Sequence, residues 1–245
     1  ARSCDNSDGG TCAPGRAALG VSPVLTIRVQ ATSGSDGRDW NARPAQQATG
    51  LQMARRRHSS SSAHELAVHP SAVVSPSASI GCGVSIGPYC FVGPHVQLEE
   101  RVKLHSHVVL SGHTHVGSDT TIFPFATLGA KPQDLKYAGE RSELRIGRRC
   151  RVFEYAHLSG GTAGGGGVTT IGDDCMLMSH THVGHDCRLG DRVLLASNSS
   201  LAGHVTVGDG AQVSGHSCVH QRVSIGNGAF LAAASVLVSD LVPFG

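Results

Sequence analysis

A period of six constrains this sequence more than any other feature. From Val68 an aliphatic residue recurs at every sixth position: Val68, Val74, Ile80, Ile86, Val92, Leu98, Leu104, Leu110, Val116, Ile122 and Leu128. The series resumes at Ile146, Val152 and Leu158, then runs unbroken from Ile171 through Leu237. Four residues after each aliphatic sits a small one, as at Ala72, Ala78, Val84, Cys90, Thr181, Cys187, Ser199 and Ala229. Neither the helical period of 3.6 nor the strand period of 2 produces this pattern. A hexapeptide β-helix does.

Each hexad then forms one short strand and a turn, and three hexads close a triangular coil of 18 residues. The aliphatic points inward at every coil, and stacked coils share an apolar interior that no single repeat can bury alone. Glycine often follows the aliphatic directly ("IGCGVS", "VGPHVQ", "IGNGAF"), where it is expected to supply turn angles closed to other residues. Hexapeptide solenoids are left-handed as a class, against the usual right-handed crossover. The expected fold class is therefore all-β, a left-handed parallel β-helix over residues 67–245, with loops ejected at about 129–145 and 163–170, where the repeat is interrupted.

Residues 1–62 differ from the rest. They hold eight Arg, no Lys, four Asp and no Glu, and are rich in Ser, Ala and Gly. That composition suits an organellar transit peptide or a disordered leader. A transit peptide implies the mitochondrion or plastid; without one the cytoplasm is expected. The formal charge of +2 over 245 residues is too small to argue for nucleic acid, and no apolar run is long enough to span a bilayer. Of the eight cysteines, Cys90, Cys150, Cys175 and Cys187 fall at the small position of the repeat, so they are expected to act as small apolar residues.

Histidines cluster in "SHTHVGHDC", residues 179–187. One coil on from His185 is Gly203, beside His204; one further is Gln221, beside His220. These residues should line one wall in three successive coils, roughly 5 Å apart. Each follows an inward aliphatic by one to three residues, which places them in the turns and on the outer surface.

The motifs "PQDLKYAGE" (132–140), "GTAGGGGVT" (161–169), "HVGHDC" (182–187), "LAGHV" (201–205), "VHQ" (219–221) and "DLVP" (240–243) occur in this order. In them the chain strongly resembles the acyl-[acyl-carrier-protein]–UDP-N-acetylglucosamine O-acyltransferases, the first enzymes of lipid A synthesis. The resemblance implies a homotrimer with sites between subunits. It implies transfer of an R-3-hydroxyacyl group from acyl carrier protein to the 3-hydroxyl of the glucosamine of UDP-N-acetylglucosamine. It implies no cofactor, no metal, no nucleic acid and no membrane span. His185 matches the catalytic base, Asp186 its partner and Gly203 the backbone N–H that stabilises the oxyanion. An imidazole is suited to accept a hydroxyl proton near neutral pH. His182, His204, Gln133, Asp134, Lys136, His220 and Gln221 match substrate-binding positions, and Phe230 and Ala233 the acyl-chain ruler. Adjacent residues of a strand face opposite ways, so a His185–Asp186 pairing requires turn geometry there.

Three departures from the family stand out. Ser159 and Gly160 replace a His or Asn and an Arg, so two polar wall groups are expected to be lost or weakened. Ala232–Ala233 replace a glycine pair, and the added methyl at Ala233 points to a shorter acyl group. The family also continues past the coil as a helical domain, whereas this sequence stops at "LVPFG". Two other readings stay open: a non-catalytic trimeric scaffold with a decayed site, and a γ-carbonic-anhydrase-like protein holding zinc on His182, His185 and His204.

Overall fold

The computed structural model describes residues 66–245. The transit-peptide expectation for residues 1–62 lies outside them. Each aliphatic of the period-six series falls in its own strand, from β1 (Ala67–Val68) to β26 (Val236–Leu237). Every third strand pairs in parallel, giving sheets of nine, nine and eight strands. This is the left-handed parallel β-helix that the repeat predicts.

The alternation within each two-residue strand is strict. The first residue faces out, and the second is buried across most of the stack, as in Phe91–Val92 and Gln97–Leu98. Val92, Leu110, Leu128, Leu158, Val183 and Leu201 are all fully buried. Cys90, Cys150, Cys175 and Cys187 join the same core, where burial pushes the Cys187 thiol up to about 12. Two strand boundaries differ from the sequence reading. Strands resume at Glu143–Ile146 and Val168–Ile171, so the ejected segments are shorter than expected. The cause is that both four-residue strands pair with each other in full register, adding a residue pair on the N-terminal side of the aliphatic.

The turns correct the expectation for glycine. The left-handed backbone occurs at the third residue after the aliphatic, and it is mostly not glycine: Tyr89, His107, Phe125, Asp186, His204 and Arg222 all have φ between 58° and 64°. The second residue after the aliphatic is often proline, as at Pro70, Pro94 and Pro124. The amide of the small residue then bonds back across the turn, for example Ala72 N–H to the His69 carbonyl at 2.9 Å. Where proline precedes a positive φ, as at Pro88–Tyr89 and Pro124–Phe125, the pattern is that of a type II turn; Ser71 and His95, which follow Pro70 and Pro94, are not in the left-handed region. The glycines directly after the aliphatic serve close approach instead: a Cβ on Gly184 would meet the Ala202 carbonyl carbon of the next coil at 2.8 Å.

Stacked turns make side-chain ladders. Tyr89, His107, Phe125, Tyr155 and His180 stack ring on ring with centroids 4.8–5.1 Å apart. On another corner the Arg101 guanidinium donates to both Asp119 oxygens, and Arg149 to both Asp174 oxygens.

Candidate active site

Strands β17 (His182–Val183), β20 (Ser200–Leu201) and β23 (Cys218–Val219) pair in register. The turns after them therefore stack, with His185 over Gly203 over Gln221, and Asp186 over His204 over Arg222. The expected column exists. The stacked turns are bonded to each other: His204 N–H donates to the His185 carbonyl at 2.9 Å, and Arg222 N–H to the Gly203 carbonyl at 3.2 Å.

Asp186 sits at φ 60°, the turn geometry needed to bring its carboxylate back onto the preceding side chain. Its Oδ2 accepts from His185 Nδ1 at 2.8 Å. In the neutral imidazole that bond puts the proton on Nδ1 and leaves the lone pair on Nε2. The same carboxylate accepts two more donors, Thr162 N–H on Oδ1 at 2.8 Å and Thr162 Oγ1–H on Oδ2 at 2.7 Å. The Asp186 amide in turn donates to Thr169 Oγ1 at 2.8 Å.

Both residues are buried, His185 to 7% exposure and Asp186 to 4%, rather than lying on the outer surface as the spacing implied. The cause is the glycine-rich segment, whose single 3-10 turn, Ala163–Gly165, lies across Asp186. A Cβ on Gly165 would overlap the Asp186 side chain. The first ejected loop holds this cover in place. Glu140 accepts from its own loop at Ala138 N–H (2.8 Å) and from Ala163 N–H (3.2 Å). Tyr137 braces the loop by donating its hydroxyl to the Glu140 carbonyl.

Gly203 lies directly against the His185 ring: a Cβ there would sit 2.5 Å from Cε1 and Nε2. Its N–H pairs with no acceptor among the described residues. A pocket of about 170 Å³ opens beside it, lined by Asp134, Lys136, Glu140, Thr162, His204 and Arg222 among others. Asp134, Lys136 and His204 are thus brought together as expected. Burial pushes the His204 imidazole below its ordinary value, with the Asp186 charge opposing that shift. The His204 and His185 rings meet edge to face, 86° apart, at a centroid distance of 5.0 Å.

Other expected residues stand apart from this pocket. Gln133, His220 and Gln221 are exposed. Phe230 and Ala233 are also exposed, and Phe230 belongs to a different sheet from His182. Ser159 is fully buried with its hydroxyl unpaired. At Gly160 a Cβ would meet the Ser142 hydroxyl, which would have to turn aside. Thr162, Thr169, Glu140 and Arg222 were not singled out by the sequence reading, although the first three lie inside its quoted motifs. The spacing of Glu140 and Thr162 carries no signal, because only the folding of two loops onto one turn brings them in; Arg222, two coils of 18 after Asp186, lies in the column that the repeat itself defines.

The alternative zinc trio of His182, His185 and His204 is not brought together among the described residues of one subunit. His182 pairs instead with His157 on the neighbouring strand. His185, Asp186 and His204 do bring three ligand-type atoms within 4.8 Å, but His185 Nδ1 and both Asp186 oxygens are already engaged by internal hydrogen bonds. The donor set does not fit a metal site, which needs free lone pairs facing a common point.

Comparison with known proteins agrees with this geometry. The family described as bacterial transferase hexapeptide (six repeats) matches residues 77–112 and 169–203. An acyl-[acyl-carrier-protein]–UDP-N-acetylglucosamine O-acyltransferase of Paracoccus denitrificans is 52% identical over 124 residues, 51% of this chain and 48% of that one. The chain thus spans about half the length of that relative. A crystal structure of UDP-N-acetylglucosamine acyltransferase superposes with a TM-score of 0.70 at 47% identity, covering 71% of this chain and 67% of the other. The UDP-N-acetylglucosamine acyltransferase from Campylobacter jejuni does so at 0.70 and 38% identity, covering 72% and 69%. At such identity over two thirds of a solved relative's length, the chain belongs to the UDP-N-acetylglucosamine acyltransferase family.

Proposed function

We propose that this protein transfers an R-3-hydroxyacyl group from acyl carrier protein to the 3-hydroxyl of the glucosamine of UDP-N-acetylglucosamine, the first step of lipid A synthesis. The observation that carries this reading is the buried His185–Asp186 pair, held by Thr162 and met by His204, both of which line the pocket that also holds Asp134 and Lys136. His185 Nε2 takes the proton of the sugar hydroxyl as the oxygen attacks the thioester carbonyl. Asp186 holds the ring in the required tautomer and balances the imidazolium that forms. The Gly203 N–H stabilises the tetrahedral oxyanion, a contact whose removal costs about 3–4 kcal/mol in comparable sites. The imidazolium then returns its proton to the departing thiolate of the carrier.

His182, Gln133, His220 and Gln221 are assigned to substrate contacts, and Phe230 and Ala233 to the acyl end, with preference for shorter chains. Equal turnover of short- and long-chain donors would remove the Ala233 assignment. Three copies are assigned to the assembly, with sites between neighbouring subunits. The exposed aromatic ladder and the fully exposed Leu135 at the tip of the first loop are the kind of surface such contacts use. The preserved His185–Asp186–Thr162 arrangement favours this reading over a decayed scaffold.

The test is mass spectrometry of reactions containing UDP-N-acetylglucosamine and 3-hydroxyacyl carrier proteins, with wild type beside His185→Ala. An acylated sugar nucleotide from wild type alone is expected. No product from a folded wild-type trimer overturns the assignment for this chain.

A further inference from the structure

His182 does not stand alone at the wall. It is in register with His157 on β14 (His157–Ser159), in the same sheet. The two rings are nearly parallel, 8° apart with centroids at 5.2 Å. Their Nδ1 atoms approach to 3.1 Å. Two imidazole nitrogens come this close only when one carries a proton and the other a lone pair. The tautomers of the two rings are therefore locked to each other. Burial pushes both imidazoles below their ordinary value, so the pair is neutral around pH 7.

The bond can run in either direction. With His157 Nδ1–H donating, His182 Nδ1 accepts, and the remaining proton of His182 is on Nε2.

We propose that His157 is a positioning residue, one that holds His182 as its Nε2–H tautomer so that His182 offers the substrate a hydrogen-bond donor next to the acceptor nitrogen of His185. The proposal rests on the acyltransferase reading above. It gives the wall a division of labour: His185 accepts a proton, and His182 donates a hydrogen bond to a substrate oxygen. A His182 of the opposite tautomer would present two lone pairs to one substrate and bind it less well as charge develops on oxygen.

The experiment compares His157→Phe with His157→Asn in the full chain. Phe keeps a flat ring for the stack but has no donor; the Asn amide places an N–H near the position of Nδ1. Nitrogen-15 NMR of the labelled His182 ring reads the tautomer directly, whether or not the protein turns over. Wild type and His157→Asn are expected to show a single Nε2–H form, and His157→Phe a mixture. In turnover, His157→Phe is expected to lose about tenfold or more in kcat with little change in KM, and His157→Asn to recover most of it. An unchanged His182 tautomer in His157→Phe overturns the proposal. So does a loss in His157→Asn equal to that in His157→Phe, because then only ring packing matters. If wild type shows no acyl transfer, the function reading fails while the NMR comparison still decides the pairing.

Discussion

Replacing Asp186 with Asn tests the site at the scale of one atom. Thr162 N–H already points at Oδ1, so the Asn oxygen must take that side and the amide NH₂ must face His185 Nδ1. Nδ1 then has to be the bare nitrogen, and the proton moves to Nε2, where the base is needed. We expect kcat to fall about 10³–10⁴-fold, as when a triad aspartate is made an amide, with the thermal midpoint nearly unchanged. Steady-state kinetics beside a melting curve checks it; a loss under tenfold would mean that Asp186 does not set the tautomer. The buried histidines make a second prediction. His157, His182 and His204 are held below their ordinary value of 6.5, first of all by burial. As pH drops through 6.5 the unfolded chain takes up protons that the fold refuses, so stability is full above that pH and declines below it. Thermal midpoints should therefore fall from pH 7.5 to 5.5, and less steeply in His157→Phe. The sequence placed His185, Gly203 and Gln221 in one column because the 18-residue coil converts spacing into adjacency; Asp186 was legible only through the family resemblance. The sequence did not show Thr162, which reaches Asp186 only when a loop with no period of its own folds back.

At the scale of the element, the strands were legible and the turns were only half so. A two-residue strand needs only an outward residue followed by an inward aliphatic, and that signal repeats without ambiguity. The turn depends on a positive φ that most of its residues tolerate poorly. Tyr, Phe, Arg and His occupy it here, so composition gives no warning. Stacking and ion-pair ladders along the corners, such as Tyr89 to His180 and Arg101 to Asp119, offset part of that strain. His216, at φ 59° and exposed, isolates the cost because its ring joins no ladder among the described residues. His216→Gly should leave stability close to wild type. His216→Val should lower it by about 1–2 kcal/mol, because a β-branched side chain fits the left-handed region worst. Urea midpoints of the two variants decide it; equal midpoints would show that the turn is not under φ strain.

Across the whole stack, each coil touches only the coils beside it, so damage should stay local. Leu110 and Leu201 give a matched pair. Both are fully buried, and both lie in one sheet, four strands apart, or roughly 19 Å at the spacing of paired strands. Leu→Ala at either should cost about 2–5 kcal/mol, from lost burial and the cavity left behind. The functional effects should differ. Leu201 is two residues before Gly203, whose backbone touches the His185 ring, so a collapse there moves the oxyanion donor relative to the base. Leu110 has the coils of Leu128 and Leu158 between it and the site. We expect Leu201→Ala to lower kcat by about tenfold or more, the scale on which small misplacement of reacting groups is felt, and Leu110→Ala to leave kcat within about twofold. Measured below both melting transitions, an equal loss in the two variants would show that strain runs the length of the sheet. The rigid interior would then act as one body, and the coil-by-coil independence implied by the repeat would not extend to the site.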